Sequence, residues 1–318
     1  MNDLLCIDLS TGRSREETLS ADLLHDYIGG KGVGSHLLLE EVGADVDPLG
    51  PQNKMIFSIG PMTGTAMPGS NRCAAYFLSP LTGGYCESYS GGKLAPQFAA
   101  TGYKMVILEG ASNTPVYLEI SEQGVTIHPA DHLWGLDTYA AEEELLKRTD
   151  AAKAQACVIG PAGEKLVRFA LVANNKWRCL GRGGSGAVMG SKKVKGIVWH
   201  GTQKVEVARP ADFKALLKDM VERGKSDPGV ARYKAMNAVV GTQYSPGQLA
   251  DLANRIVGET HEFNRRRGFG ARHERLPEWI TEHPLTSTTG ETWSLTTDEV
   301  QLMRREYYAA RSWGEPTQ

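Results

Sequence analysis

The stretch Ser90-Gly91-Gly92-Lys93-Leu94-Ala95-Pro96-Gln97-Phe98-Ala99-Ala100-Thr101-Gly102-Tyr103-Lys104-Met105-Val106-Ile107-Leu108-Glu109-Gly110 has a counterpart later in the chain. The second copy runs from Arg182-Gly183-Gly184 to Val194-Lys195-Gly196-Ile197-Val198-Trp199-His200-Gly201. Each copy is a Gly-Gly turn, a short helix-like stretch, a glycine or lysine break, an apolar strand and a closing glycine. Each follows an apolar run beside an arginine or a polar loop, Arg72 to Leu78 in one case and Val167 to Val172 in the other. Such a pair predicts an internal duplication. Open backbone amides at a helix start bind anions, so two loops of this kind suit a ligand with two similar halves. The same glycines are also what tight turns demand, and that reading stays open beside the first.

Outward from this pair the chain reads as strand-rich as far as about Val207. Short apolar runs bounded by Gly, Pro, Asn or Ser predict strands over Leu4 to Leu9, Met55 to Ile59, Cys73 to Leu78, Lys104 to Glu109, Val116 to Ile120, Ala156 to Ile159, Val167 to Val172 and Lys195 to Trp199. Helices are expected over Val33 to Val42 and over Thr138 to Arg148, the latter capped by Thr138. After Arg209-Pro210 the texture changes. Phe213, Leu216, Leu217, Met220 and Val221 recur at helical spacing and stop at Arg223-Gly224, as at a glycine C-cap. Gln248 to Val257 and Thr297 to Ala310 repeat the pattern. The fold class expected is α+β: a duplicated two-sheet N-terminal domain over residues 1–208, then a short α-helical segment over 209–318.

Composition limits the function. The 318 residues carry a net charge of −2 with a pI near 6.5, which gives no electrostatic case for nucleic acid or an anionic membrane. No apolar run approaches the roughly 20 residues that cross a bilayer, and no secretory leader pattern opens the sequence; a cytoplasmic location is the expectation. The five cysteines, Cys6, Cys73, Cys86, Cys157 and Cys179, are widely spaced and form no Cys-x-x-Cys. Neither a disulfide framework nor a zinc or iron–sulfur site is expected from them. His128 and His132 lie four apart, but Pro129 prevents a helix from aligning them as metal ligands.

Several runs in order carry a family resemblance. Ile59-Gly60-Pro61-Met62-Thr63-Gly64-Thr65, Ser79-Pro80-Leu81-Thr82-Gly83, Ser90-Gly91-Gly92, Thr101-Gly102-Tyr103, His132-Leu133-Trp134-Gly135, Ile159-Gly160-Pro161-Ala162-Gly163-Glu164 and Gly181-Arg182-Gly183-Gly184-Ser185-Gly186-Ala187-Val188-Met189-Gly190-Ser191-Lys192 resemble the N-terminal domain of the aldehyde ferredoxin oxidoreductases, tungsten or molybdenum bis-pterin enzymes. The resemblance covers about residues 1 to 244. It implies two sheets related by duplication that form a base for the double pterin. It also implies a pterin-phosphate contact from Arg72, and contacts from the loops Tyr89-Ser90-Gly91-Gly92 and Arg178, Cys179, Arg182, Gly183 and Gly184. At Tyr89 the family has an asparagine that helps hold a magnesium ion between the two phosphates. The resemblance thus implies magnesium as a further cofactor, with a phenol, a poor magnesium ligand, where the family has the amide.

Beyond Tyr244 the chain resembles the family's far C-terminus, through Arg255-Ile256-Val257, Phe263-Asn264-Arg265-Arg266-Arg267-Gly268-Phe269, Leu276-Pro277-Glu278 and Tyr307-Tyr308-Ala309-Ala310-Arg311-Ser312-Trp313. The family's iron–sulfur cysteines, its two Asp-x-x-Gly-Leu pterin motifs and its acid–base residues have no counterpart in this sequence. The resemblance therefore implies an oxidoreductase that turns aldehyde to carboxylic acid and passes electrons to ferredoxin, either abbreviated or completed by a partner subunit. A homodimer or a complementing subunit is expected, because the cofactor side, with Tyr85, Tyr89 and the Gly91-Gly92 loop, would otherwise be uncovered. A non-catalytic pterin-binding or assembly module, or a degenerate internal-deletion paralogue, is the other reading.

Overall fold

The computed structural model describes residues 3–223 and 228–314. The elements run β1 (Leu4–Asp8), β2 (Arg13–Glu17), α1 (Ala21–Tyr27), α2 (Lys31–Glu41), β3 (Met55–Ile59), β4 (Cys73–Leu78), β5 (Tyr85–Ser90), α3 (Leu94–Ala100) and β6 (Met105–Glu109). The same strand sequence then recurs, with different helices between, as β7 (Val116–Ser121), β8 (Gly124–Pro129), α4 (Thr138–Arg148), β9 (Gln155–Val158), α5 (Pro161–Glu164), β10 (Val172–Asn174), β11 (Arg178–Leu180), α6 (Ser185–Ser191) and β12 (Val194–Trp199). Helices follow: α7 (Pro210–Arg223), α8 (Pro228–Val240), α9 (Pro246–Arg266), α10 (Glu278–Glu282) and α11 (Thr297–Ala310), with a small hairpin, β13 (Leu285–Thr286) and β14 (Thr292–Trp293), before the last.

The strand orders make the duplication explicit. The first sheet is ordered β2-β1-β6-β3-β4-β5, and the second, read from its other edge, β8-β7-β12-β9-β10-β11. In each, the first strand of the repeat pairs parallel with the last, and every other pairing is antiparallel. Alternation divides the side chains. Leu5, Ile7, Phe57, Ala75, Phe77, Val106 and Leu108 of the first sheet share one core with Leu118, Ile120, Cys157, Ile197 and Trp199 of the second. The opposite face of the first sheet, with Cys6, Ile56, Ala74, Tyr76 and Ile107, is covered by Val33, Leu38 and Leu39 of α2. That of the second, with Tyr117, Ala156 and Val158, is covered by Ala141 and Leu145 of α4. Trp199 is fully buried, stacked 4.0 Å from Phe98 of α3, so a helix of one repeat seals against a strand of the other. Burying such a ring contributes about 2–3 kcal/mol.

Four expectations change. Residues 167–171 form turns, and the strand begins only at Val172, because Ala170 and Leu171 turn their carbonyls toward Gly186 of α6, where a Cβ would collide with them. The loop expected around Arg178 is the short strand β11. The cap of α4 is Asp137, whose side chain accepts from Ala140 N at 2.9 Å, not Thr138. The helix expected over Gln248 to Val257 extends to Arg266 behind a Ser245–Gln248 capping box. Gly224, read as a C-cap, lies outside the described residues.

The helical segment does not stand apart. Phe263 of α9 is buried in the outer core of the first sheet, and Asn264 Oδ1 accepts from Tyr85 N of β5 at 2.8 Å. Arg267 donates to the carbonyls of Gly83 (2.7 Å), Ala44 (2.5 Å) and Val46 (3.1 Å). Tyr85 is therefore half-buried under α9 rather than uncovered, while Tyr89, further along the strand, is 44% exposed.

Candidate functional site

The edge strands β5 and β11 of the two sheets lie against each other, and the two Gly-Gly loops follow them directly. In the antiparallel register Cys73 faces Ser90, which sets Arg72 opposite Gly91, and the Arg72 guanidinium lies against the Gly91 backbone, 3.6–3.8 Å from where a Cβ would project. Gly92 has φ +99°, and a Cβ there would sit 3.3 Å from Cγ of Arg178 and collide with Asn175. The fold thus gathers Arg72, Ser90, Gly91, Gly92 and Arg178 from both repeats at one seam. Among the described residues no carboxylate pairs with Arg72, Arg178 or Arg182. Exposed guanidinium groups beside open glycine backbone, without an internal partner, make a seam suited to phosphate.

Residues that sequence reasoning missed hold this seam together. Asn174, buried, bonds Ser90 Oγ at 2.5 Å and donates to Gly91 O at 3.0 Å, and Asn175 Oδ1 accepts from Lys93 N at 2.7 Å. Asn175 and Lys176 both adopt positive φ, +47° and +60°, in the three-residue loop, Asn175 to Trp177, that joins β10 to β11. The buried carboxylate of Glu142 on α4 accepts from both of their amides, at 2.7 and 2.9 Å. That contact sets the position of Arg178 on the following strand. The Asn-Lys pair was the signal in the sequence, since Asn tolerates the left-handed region.

The remaining predicted residues divide. Gly183 and Gly184 have φ +66° and +86°, and a Cβ on them would strike Cys86 Sγ and Arg168 O respectively, so both glycines serve close approach as well as the turn. Ser79 Oγ donates to Gly183 O at 2.7 Å, and Arg182 N donates to Ser88 Oγ at 3.1 Å, which closes the second loop onto the first repeat. Arg182 and Cys179 are exposed at the same edge. Lys192, next to Lys193 just after α6, is fully buried. Its ammonium donates to Asn53 O (2.5 Å) and Gly110 O (2.8 Å), and burial pulls its pKa down to about 8.

Tyr89 lies on the outer face of β5 with Tyr85 and Glu87, across from Ala74 and Tyr76. Ser58 donates to Tyr76 (3.4 Å), and Tyr89 lies close to Tyr76 and to the Glu87 carboxylate. From the other side Ser35 bonds Tyr85 (2.8 Å), and Tyr85 OH donates to Glu87 (2.9 Å). Lys31 Nζ lies 2.9 Å from the same carboxylate. Burial and the Glu87 charge push the Tyr89 phenol up to about 12. A neutral phenol does not fit a magnesium ligand.

Other family-like motifs carry architecture. Glu164 accepts from Gly135 N at 2.9 Å and pairs with the buried Lys195, which donates to Leu136 O at 2.8 Å from a bulge in β12. The His-Leu-Trp-Gly loop, the Pro-Ala-Gly-Glu turn and β12 are thereby joined. His128 bonds Glu119 at 3.0 Å, as His200 does, and His132 sits apart in a single 3-10 turn. Burial pushes the Cys73 and Cys157 thiols up to about 12 and those of Cys6 and Cys86 to about 11. No cluster of three or more His, Cys, Asp or Glu able to hold a metal occurs among the described residues. The scattered thiols do not fit an iron–sulfur cluster.

With this geometry in view, residues 4–201 match the family model described as the aldehyde ferredoxin oxidoreductase N-terminal domain, and residues 225–318 match that of the family's domains 2 and 3. The tungsten-containing aldehyde ferredoxin oxidoreductase of Pyrococcus abyssi is 40% identical over 225 residues, which cover 71% of this chain and 37% of the relative. An aliphatic sulfonate oxidoreductase, WOR-like subunit, of Pyrococcus furiosus is 34% identical, over 68% of this chain and 37% of its own length. Among solved structures, the active-site complex BamBC of benzoyl coenzyme A reductase with 1,5-dienoyl-CoA is similar, with a TM-score of 0.67 and 33% identity over 69% of this chain and 33% of that one. The chain thus spans a little over a third of the length of these curated relatives. No described helix is long and apolar enough to cross a membrane. The duplicated sheets and the matched residues lead to one conclusion: the chain belongs to the aldehyde ferredoxin oxidoreductase family.

Proposed function

We propose that this chain is the pterin-holding platform of a tungsten- or molybdenum-pterin oxidoreductase of the aldehyde ferredoxin type, acting in the cytoplasm. Residues 1–208 form the pterin-binding domain and 209–318 a helical segment that braces it. The observation that carries this reading is the convergence of Arg72, Gly91, Gly92 and Arg178 at the β5–β11 seam, where no carboxylate among the described residues pairs with the arginines. Two arginines, one from each repeat, suit the two phosphates of a bis-pterin. Arg182 and the Gly183-Gly184 backbone flank them, and Ser90 is committed to holding Asn174. When bound, the cofactor supplies the two-electron oxidation of an aldehyde to a carboxylic acid, the electrons passing to ferredoxin. This chain's own part is to bind and orient the phosphates through guanidinium forks and backbone amides. A second polypeptide supplies the cluster thiolates and covers the open side; self-association into a homodimer is the other way of covering it. The dispersal of the five cysteines also favours a second reading, a non-catalytic pterin-binding or assembly module.

Calorimetric titration with inorganic pyrophosphate tests the platform. Each partly buried charge-assisted pair contributes about 1.5–3 kcal/mol, so Arg72→Ala should weaken binding roughly ten- to a hundredfold, and Arg182→Ala less. Added salt should weaken it further. A wild-type chain that shows no pyrophosphate binding at low salt would end the platform reading.

A further inference from the structure

The loop that delivers Arg72 to the seam is fastened to the helical segment. Both ladders of β4 end at Cys73, which faces Ile59 of β3 and Ser90 of β5, so Arg72 stands one residue outside the sheet. Its backbone is held by the loop before it. Arg72 N donates to Ser70 O at 2.8 Å, and Arg72 O lies 3.4 Å from the Thr63 hydroxyl, which donates to Ser70 O at 2.9 Å. Further bonds knit residues 60–72 into one unit. Gly64 N donates to Asn71 Oδ1 at 2.9 Å, and Ser70 returns to Met67 O through its amide at 3.3 Å and its hydroxyl at 2.9 Å.

One side chain anchors this unit. Among the apolar residues of the loop only Met67 is fully buried, and it enters a small core with Phe213 of α7 and Ala235, Ala238 and Val239 of α8. The linker ahead of α7 packs on the same loop: Gly64 has φ +85°, and a Cβ there would strike Val205. Ala208 N and Arg209 N then donate to Val239 O (3.0 Å) and Ala238 O (2.9 Å), which closes α7 and α8 into one clamp. Met67 carries neither charge nor donor, so any effect it has on a phosphate passes through Arg72. A shift of about 1 Å in that backbone takes a hydrogen bond out of its range of roughly 2.7–3.2 Å.

We propose that Met67 is a positioning residue for Arg72, through which the α7–α8 helices set the affinity of the seam for phosphate. The inference rests on the phosphate seam of the platform reading and adds to it a mechanical link from the helical segment. Movement of α7 and α8 is thereby coupled to anion binding on the sheets.

The test joins calorimetry with inorganic pyrophosphate to hydrogen exchange of the free chain. Met67→Ala should weaken pyrophosphate binding about three- to tenfold in the wild-type and Arg182→Ala backgrounds, and not at all in the Arg72→Ala background, where nothing is left to place. Met67→Leu, which keeps the volume, should retain wild-type affinity. Phe213→Leu, across the same core, should weaken binding in the same direction and serves if Met67→Ala fails to fold. In the free variant the amides of Gly64, Ser70 and Arg72 should exchange faster while those of β5 keep their rate. An equal loss in the Arg72→Ala background overturns the proposal, as does unchanged affinity, or an unchanged Arg72 amide, in a folded core variant. A wild-type chain that binds no pyrophosphate, but whose Arg72 amide quickens in the core variants, would sink the phosphate seam and leave the clamp on Arg72 standing; without that quickening both fall.

Discussion

Replacing Lys192 by Met probes the joint between the two repeats. The residue follows α6 of the second repeat, yet its ammonium donates to Asn53 O at 2.5 Å and Gly110 O at 2.8 Å, which flank β3 and β6 of the first. Methionine fills similar space without the donors. Two hydrogen bonds from a charged group contribute about 1.5–3 kcal/mol each. Against them stands burial, which lowers the amine from 10.5 to about 8 and costs roughly 3 kcal/mol at neutral pH. The net expected loss for Lys192→Met is about 0–3 kcal/mol at pH 7. The pH dependence carries the sharper signal. Below pH 8 the amine is protonated in both folded and unfolded chains, and its contribution is flat. Between pH 8 and 10.5 the unfolded chain keeps a proton that the folded chain has released, so this group adds stability as pH rises. The difference between wild type and Lys192→Met should therefore widen by about 3 kcal/mol across that window. Urea unfolding of both proteins at pH 7, 8, 9 and 10 measures it, and groups common to the two cancel. A constant gap would mean that the carbonyls hold the proton against burial, and the reasoning would fail. A Met variant more stable than wild type at pH 7 would refute it as well.

Two further outcomes follow from contacts that span the sequence. Glu142→Ala removes the carboxylate that holds the Asn175 and Lys176 amides; it should cost about 2–3 kcal/mol by thermal unfolding and weaken pyrophosphate binding although Arg72 is intact. Unchanged binding would show that the hairpin does not set Arg178. Arg267→Ala releases the carbonyls of Gly83, Ala44 and Val46 and should cost about 2 kcal/mol. Limited proteolysis should then cleave α9 before the sheets; simultaneous loss of both would contradict separate docking.

The candidate site was legible in part. Arg72, Gly91, Gly92 and Arg178 could be named from the sequence because glycine pairs and nearby arginines are local signals. Glu142, Asn174 and Glu87 could not. Each acts through partners far along the chain, such as Ser90 for Asn174 and Lys31 for Glu87, and nothing within their own windows distinguishes them from ordinary polar residues. Tyr89 was singled out by its departure from the family, but its place opposite Ala74 and on one face with Glu87 depends on strand register.

By itself the sequence determined the duplication, most of the apolar strands, the amphipathic helices α4, α9 and α11, and the family. These rest on local periodicity, which records whether each residue is buried and on which face. Only the tertiary structure decided which strands pair and where polar groups find partners. The strand β2, Arg13–Glu17, is wholly exposed and carries four charged residues of five, and it forms because β1 offers it an edge and Glu109 takes Arg15. Lys192 reads as one cation in a basic run and is buried, because carbonyls about 140 residues away in sequence stand ready to accept its protons. The physical reason is the same in both cases: burial pattern is written residue by residue, but the satisfaction of a hydrogen bond belongs to a pair, and the second member is supplied by the fold.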